Sequence, residues 1–252
     1  MNKQLDVYLH RSKAGQLEQD RHGRISFAYD DSWLEDKRSI PLSHSMPLQR
    51  DPYSGKQCQG FFAGVLPEEE NRKLISAILG ISARNDFALL EQIGGECAGA
   101  VSFQPKGKPL PDITPSYQQL DEPGLHSVLE ELPRRPLMAG HGEVRLSLAG
   151  AQNKLAVHVK DGVVSLPLHG SPSTHILKPA IPHFLHLVQN EKFCMSLAHA
   201  AGLPVPHVSL GKSGNIDYML VERYDRITQQ DGNLRRFHQE DFCQAKGFPP
   251  HL

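Results

Sequence analysis

The sequence predicts an α+β protein in which a β-rich N-terminal unit is followed by a second, mixed unit. Three observations carry this. Residues 3–29 alternate apolar and polar side chains in short runs divided by glycine-containing turns, the period-2 pattern of half-buried strands. Residues 143–178 repeat that pattern around an Asp161-Gly162 pair. Between them, Gln104 to Pro123 (QPKGKPLPDITPSYQQLDEP) holds five prolines and little apolar periodicity, as a linker does. The expected division is therefore 1–110 for the first unit, 111–142 for the linker with a short helix, and 143–252 for the second.

In the first unit, Leu5, Val7 and Leu9 alternate with Asp6, Tyr8 and His10 to give a strand. Gly15-Gln16-Leu17 and Gly23 to Tyr29 continue as hairpin-connected strands, with Trp33 and Leu34 expected to cap the sheet. Ile40 to Leu48 should be extended, because Pro41 and Pro47 supply no backbone donor and push their predecessors toward β or polyproline conformations. Phe61 to Pro67 is an apolar run. Glu68, Glu69 and Glu70 then open a helix, where its dipole favours acids, with Leu74, Ile75, Ile78 and Leu79 as the buried stripe and Gly80 as the stop. Asp86 should cap a second helix (Phe87, Leu89, Leu90, Ile93) ended by Gly94-Gly95. Cys97 to Phe103 returns as a strand, and Leu125, Val128, Leu129 and Leu132 mark the short helix near the linker.

The second unit starts with a predicted strand (Val144, Leu146, Leu148) that runs into Ala149-Gly150-Ala151, three small residues in a row. Leu155, Val157 and Val159 form the next strand. Asp-Gly then signals a type I′ hairpin to Val163–Leu168, because that turn needs positive φ at both central positions. Thr174 to Lys178 is a further strand. Val188 to Ala201 reads as the best helix of this half, with Val188, Phe193, Cys194, Leu197, Ala198 and Ala201 on one face and Gly202 as the stop. His207–Leu210 and Ile216–Glu222 follow as two strands. Small residues between strands let backbone N–H groups approach an anion closely, and an amine one strand later can reach the same anion. That is a way to hold nucleotide phosphates without a Walker helix.

Ser147-Leu148-Ala149-Gly150-Ala151-Gln152-Asn153-Lys154 closely resembles the AGAQ signature of HipA-type toxin kinases, and Thr174-His175-Ile176-Leu177-Lys178-Pro179 looks like that family's THIxKP strand. The resemblance runs through nearly the whole chain. It includes two Pro-Leu steps (Pro41-Leu42, Pro47-Leu48), the block Phe61, Phe62, Gly64, Leu66, Pro67, Glu68, and the block Cys97, Gly99 to Val101, Phe103. It continues in Glu222-Arg223-Tyr224-Asp225-Arg226, similar to the family hinge, and in Gln239 to Gln244, similar to a family helix start. The resemblance implies an N-terminal accessory β-rich subdomain followed by an incomplete protein-kinase-like ATP lobe, with the helical C-lobe missing. It also implies ATP and Mg²⁺ as cofactors and transfer of the γ-phosphate to serine or threonine of a protein, an aminoacyl-tRNA synthetase in the best-known member. The implied partner is a HipB-like helix-turn-helix antitoxin of a type II toxin–antitoxin module, with DNA reached only through it.

Carried onto this chain, the resemblance makes Ala149, Gly150, Ala151, Gln152, Asn153 and Lys154 the phosphate loop. Lys178 becomes the amine facing the α- and β-phosphates, and Glu191 on the next helix its orienting partner. Glu222, Arg223 and Tyr224 would offer backbone groups to the adenine edge, with Met219 or Leu220 lining the base pocket. Asp225 and Arg226 read as an ion pair on the surface, worth little. Ser147 falls on the family's autophosphorylated position. No HRD-like or DGxxKN-like string follows Lys178, so no catalytic residue and no Mg²⁺ ligand is assigned. The expectation is a truncated kinase, or else a catalytically dead truncated remnant or split-toxin subunit that binds antitoxin or nucleotide only, with an apolar patch exposed near Phe242, Phe248 and the hinge. An alternative independent of the resemblance is a β-rich adaptor whose PLPDITP segment is a ligand for another domain.

Composition narrows the classes. Lys plus Arg total 27 against 28 for Asp plus Glu, so no global positive field points to nucleic acid. No stretch of ~18 apolar residues suggests a membrane span. Four cysteines without a CxxC pair read as reduced, mostly buried thiols of a cytoplasmic protein. His183 and His186, the closest suggestive pair, lack a second ligand pair and read as ordinary histidines.

Overall fold

A computed structural model describes residues 2–108, 110, 114–230 and 233–250. Two antiparallel sheets carry the chain. In the first half, β1 (Lys3–Leu9), β2 (Ser12–Gln19) and β3 (Ile25–Tyr29) form a meander. A short helix α1 (Asp31–Glu35) then lays Trp33 and Leu34 against the core. The 40–48 segment, expected to be extended, turns back on itself at His44-Ser45 through a Ser43–Met46 bridge. It leads to β4 (Tyr53–Ser54) and three helices, α2 (Gly55–Gly64), α3 (Glu69–Leu79) and α4 (Asp86–Ile93). Strand β5 (Val101–Pro105) closes the first sheet in the order β4-β3-β2-β1-β5.

The second half contains β6 (Ser116–Gln119), α5 (Glu122–Glu131), β7 (Leu155–Lys160), β8 (Val163–Leu168) and β9 (His175–Pro179). Helix α6 (Leu187–Ala200), β10 (Val208–Ser213) and β11 (Ile216–Glu222) follow, then the β12 (Arg226–Thr228) and β13 (Leu234–Arg236) pair and α7 (Phe242–Lys246). The six-stranded sheet runs β10-β11-β9-β7-β8-β6. The Asp161-Gly162 turn has φ of 51° and 79°, as a type I′ hairpin requires.

Several expectations need correction. The predicted strand at Val144–Leu148 does not form: these apolar side chains are buried, but the backbone makes a single parallel bridge from Leu146 to Glu96. The strand expected from Cys97 begins only at Val101. The Phe61–Pro67 run lies largely in α2, which sequence periodicity missed. Gly60 and Gly64 face α7 so closely that a Cβ would stand 2.6 Å from the Gly247 carbonyl carbon or from Gln244 Cγ. The apolar run with its glycines is thus a helix–helix contact. On α3, Leu74 and Ile78 are exposed, while Asn71, Arg72, Ile75 and Ser76 are buried. Polar residues won that face because they have tertiary partners: Arg72 pairs with Asp86 and donates from Nε to Ala83 O at 2.6 Å. Helix α4 is capped by Asn85, whose side chain accepts from Ala88 N, rather than by Asp86. On α6 only Val188 is buried, against Val208 and Met219, so Phe193, Cys194 and Leu197 are exposed rather than packed.

The linker also contributes structure, because β6 pairs with β8 at the edge of the second sheet. Much of the PLPDITP segment (Pro109, Pro111, Asp112, Ile113) lies outside the described residues. One continuous apolar core runs from Leu5 to Leu177 and so spans both halves. Cys58 and Cys97 are buried, whereas Cys194 and Cys243 are exposed; all four are free thiols. Among the described residues, no helix is long and apolar enough to cross a membrane.

Candidate functional site

The loop 149–154 joins the buried 144–148 segment to β7. Gly150 has φ of 101°, a conformation that L side chains rarely adopt, and a Cβ there would stand 2.7 Å from Lys154 Nζ. Lys154 Nζ donates to Ala149 O at 2.9 Å, folding the loop over its own amine. Burial pushes the Lys154 amine down to about 8, and the positive charge of Lys178 adds to the effect. Gln152 Nε2 and Asn153 Oδ1 are buried without a hydrogen-bond partner among the described residues. Unpaired buried polar atoms are costly, and these two lie on the loop of the desolvated Lys154 amine, which makes the loop a candidate ligand contact.

Strand β9 brings Lys178 to the same place, and α6 brings Glu191. Lys178 Nζ lies 2.5 Å from Glu191 Oε1, both side chains being partly buried. The sequence-derived pairing of these two residues, 13 positions apart, is therefore present in the fold. Lys192, the next residue, turns away and donates to Val208 O.

The hinge residues are placed less simply. Glu222 N donates to His207 O and Arg223 N to Thr174 O, so two of the expected backbone donors are already engaged. Tyr224 is exposed and its hydroxyl bonds to Gln239. Met219 is fully buried between Val188 and Val208, and Leu220 packs on the main core; neither is an open pocket wall.

Asp225 and Arg226 are not a surface pair. Both are buried, together with Arg223, around Glu96 from the first half. Glu96 Oε1 accepts from Arg226 Nη2 (2.9 Å), Ser173 Oγ (2.9 Å) and Ser173 N (3.0 Å), and Oε2 lies 2.5 Å from Arg236 Nη2. Asp225 takes Arg223 in a two-pronged contact (2.9 and 2.7 Å) and Gly99 N at 2.7 Å. Sequence reasoning missed Glu96 altogether. The signal that could have found it is the density of arginines in 223–236, which a buried site must balance with acids from elsewhere.

Ser147 is fully buried; its hydroxyl donates to Val65 O at 2.7 Å. A cavity of about 580 Å³ lies away from the loop, between His10, Ser102, Gly170 and Arg236. Among the described residues, no three His, Cys, Asp or Glu side chains gather at one point.

Residues 5–104 match the family model of the HipA N-terminal domain, and residues 146–252 that of the HipA-like C-terminal domain. The chain is 46% identical over 98% of its length to Y4mE of Sinorhizobium fredii, whose kinase assignment is itself provisional, and covers 60% of that protein. It is 33% identical to the serine/threonine-protein kinase toxin HipA of Shewanella oneidensis, over 97% of this chain and 55% of that one. A solved Shewanella oneidensis structure, of HipA and HipB with operator DNA, superposes with a TM-score of 0.80 at 31% identity, covering 98% of this chain and 57% of that one. The chain thus spans a little over half the length of the relatives it matches. The two matched spans, the shared fold and the AGAQ and THILKP blocks make this chain a member of the HipA family.

Proposed function

We propose that this chain forms the nucleotide-holding part of a HipA-type protein serine/threonine kinase. The observation that carries this is the Lys178–Glu191 pair beside the loop of Lys154. An amine at the end of the loop and a second on the neighbouring strand β9, the latter fixed by a carboxylate, resemble the lysine–glutamate pair by which kinases grip ATP phosphates. The residues fit a polyphosphate: the desolvated Lys154 amine gains a counter-charge beside an anion, and the unpaired Gln152 Nε2 gains an acceptor.

In this reading Ala149–Lys154 and Lys178 hold the phosphates of ATP, which supplies the transferable γ-phosphoryl group. Glu191 keeps Lys178 aimed, and Glu222–Tyr224 flank the base. Mg²⁺ is expected with the nucleotide, as in kinases generally. The substrate is a serine or threonine of a protein, and Ser147 is the proposed autophosphorylation position. Its phosphorylation would require the loop to open, because its hydroxyl is now sealed against Val65. A HipB-like antitoxin is the proposed partner, motivated by the solved relative in complex with HipB and operator DNA; DNA would be reached through it.

A second reading is nucleotide or antitoxin binding by this chain without phosphate transfer. Titrating ATP into the chain and its Lys178→Ala variant, with and without Mg²⁺, tests the nucleotide site. Micromolar binding lost in the variant supports it, and no binding by the folded wild type refutes it. Phosphate transfer to a protein, assayed on the same samples, separates the two readings.

A further inference from the structure

The candidate phosphate loop is held in shape by the other half of the molecule. Ser147 N donates to Glu96 O at 2.9 Å and Ser147 Oγ to Val65 O at 2.7 Å, fixing the approach to the loop. Its tip is held by one residue. Asn71, buried on α3, donates from Nδ2 to Ala151 O at 2.8 Å. Among the described residues, no other side chain from outside the loop bonds to residues 149–154. Asn71 occupies the face of α3 where the apolar pattern would place a leucine, so its amide is buried for this contact.

A peptide unit is planar and trans, so its C=O and the following N–H point in opposite directions. With the Ala151 carbonyl drawn toward Asn71, the Gln152 N–H is turned away from α3, and with it the donor set available to an anion. We infer that Asn71 is a positioning residue of the nucleotide site, holding the loop in its phosphate-accepting shape. The N-terminal half is on this account part of the site, not an accessory to it. The inference rests on the nucleotide reading above and assigns Asn71 no contact with the nucleotide.

The test uses the whole 252-residue chain as wild type, Asn71→Ala, Asn71→Asp and Lys178→Ala. ATP and adenosine affinities are measured by calorimetry, and amide hydrogen exchange is followed in the nucleotide-free state. Loss of one buried hydrogen bond should weaken ATP about tenfold in both Asn71 variants and leave adenosine unchanged. Exchange at residues 150–153 should speed up while β1 and β2 stay protected. ATP binding within twofold of wild type in Asn71→Ala, with loss in Lys178→Ala, would overturn the role of Asn71 and leave the nucleotide reading standing. Equal weakening of ATP and adenosine, with faster exchange throughout, would mean a purely structural role and also overturn it. A wild type that binds no ATP removes both.

Discussion

Arg226 and Glu96 stand 130 positions apart in the chain and meet in the interior, Nη2 donating to Oε1 at 2.9 Å with both side chains almost wholly excluded from solvent. Glu96 follows α4 of the first half, and Arg226 begins β12 beyond the second sheet. The same carboxylate bonds to Ser173, just before β9, while its backbone carbonyl accepts from Ser147 N. One residue therefore ties the start of the candidate phosphate loop, the approach to the Lys178 strand and the 223–226 segment to the N-terminal half.

Replacing Glu96 should be severe. The buried Arg223 and Arg226 would keep only Asp225 as an acidic partner, and the partly buried Arg236 would lose its carboxylate. Removing one member of such a network typically costs about 3–5 kcal/mol. Urea unfolding of Glu96→Ala should show that loss, and a midpoint near that of wild type would refute it.

Acid should act through the same residue. Burial alone would push the Glu96 carboxyl up, but Arg226, Arg236 and Arg223 outweigh it and hold it at about 2, below its usual 4.5. A carboxyl lowered on folding contributes stability that is complete above about pH 4.5 and is lost as pH falls toward 2. Denaturant midpoints measured from pH 6 to pH 2.5 should fall steeply in wild type and less so in Glu96→Gln.

Lys154 predicts a pH dependence of the same sign in a higher window. Burial, then Lys178, holds its amine at about 8 against the usual 10.5. Between those values the unfolded chain binds the proton and the folded chain does not, so this residue makes stability rise with pH across that window. A bound polyphosphate favours the charged amine. ATP binding should therefore take up a proton above pH 8 and weaken as pH rises further. Calorimetry in buffers of different ionisation enthalpy detects that uptake, which should vanish in Lys154→Arg.

The Lys178–Glu191 pair can be tested by splitting its partners. Lys178→Ala should abolish measurable ATP binding. Glu191→Gln keeps the amine but loosens its aim, so ATP should weaken less, about three- to tenfold, with unfolding by heat little changed because exposed and half-exposed pairs contribute about 0–1 kcal/mol. Equal loss in the two variants would mean that Glu191 does more than orient the lysine.

The exposed aromatic residues predict association. Phe242 is 86% exposed, and Phe248, Tyr224, Ile227 and Phe193 are also open to solvent. Phe242, Phe248 and Tyr224, the residues of the expected patch, are each open to solvent. Sedimentation velocity should show concentration-dependent self-association, reduced by Phe242→Ser; a monodisperse monomer at high concentration would count against it.

The strands were legible wherever local pattern and turn chemistry agreed. The β1–β3 meander, the Asp161-Gly162 hairpin and the Lys178 strand follow from period-2 alternation and from residues that tolerate positive φ. The Lys178–Glu191 pairing was also readable, through family resemblance and the strand-then-helix order. Helix faces were not. An apolar stripe is informative only if the partner surface is apolar, and α3 buries Asn71 and Arg72 because Ala151 O and Asp86 await them.

By itself, then, the sequence determined the local elements, the small-residue loop with its lysine, and the family. Tertiary structure alone decided that Asp225 and Arg226 are interior, that Glu96 balances three arginines, and that the N-terminal half holds the 149–154 loop through Asn71. The physical reason is range. Backbone conformation and turn geometry are set by neighbours a few residues apart, whereas burying a charge or an amide depends on partners that only folding brings within hydrogen-bond distance.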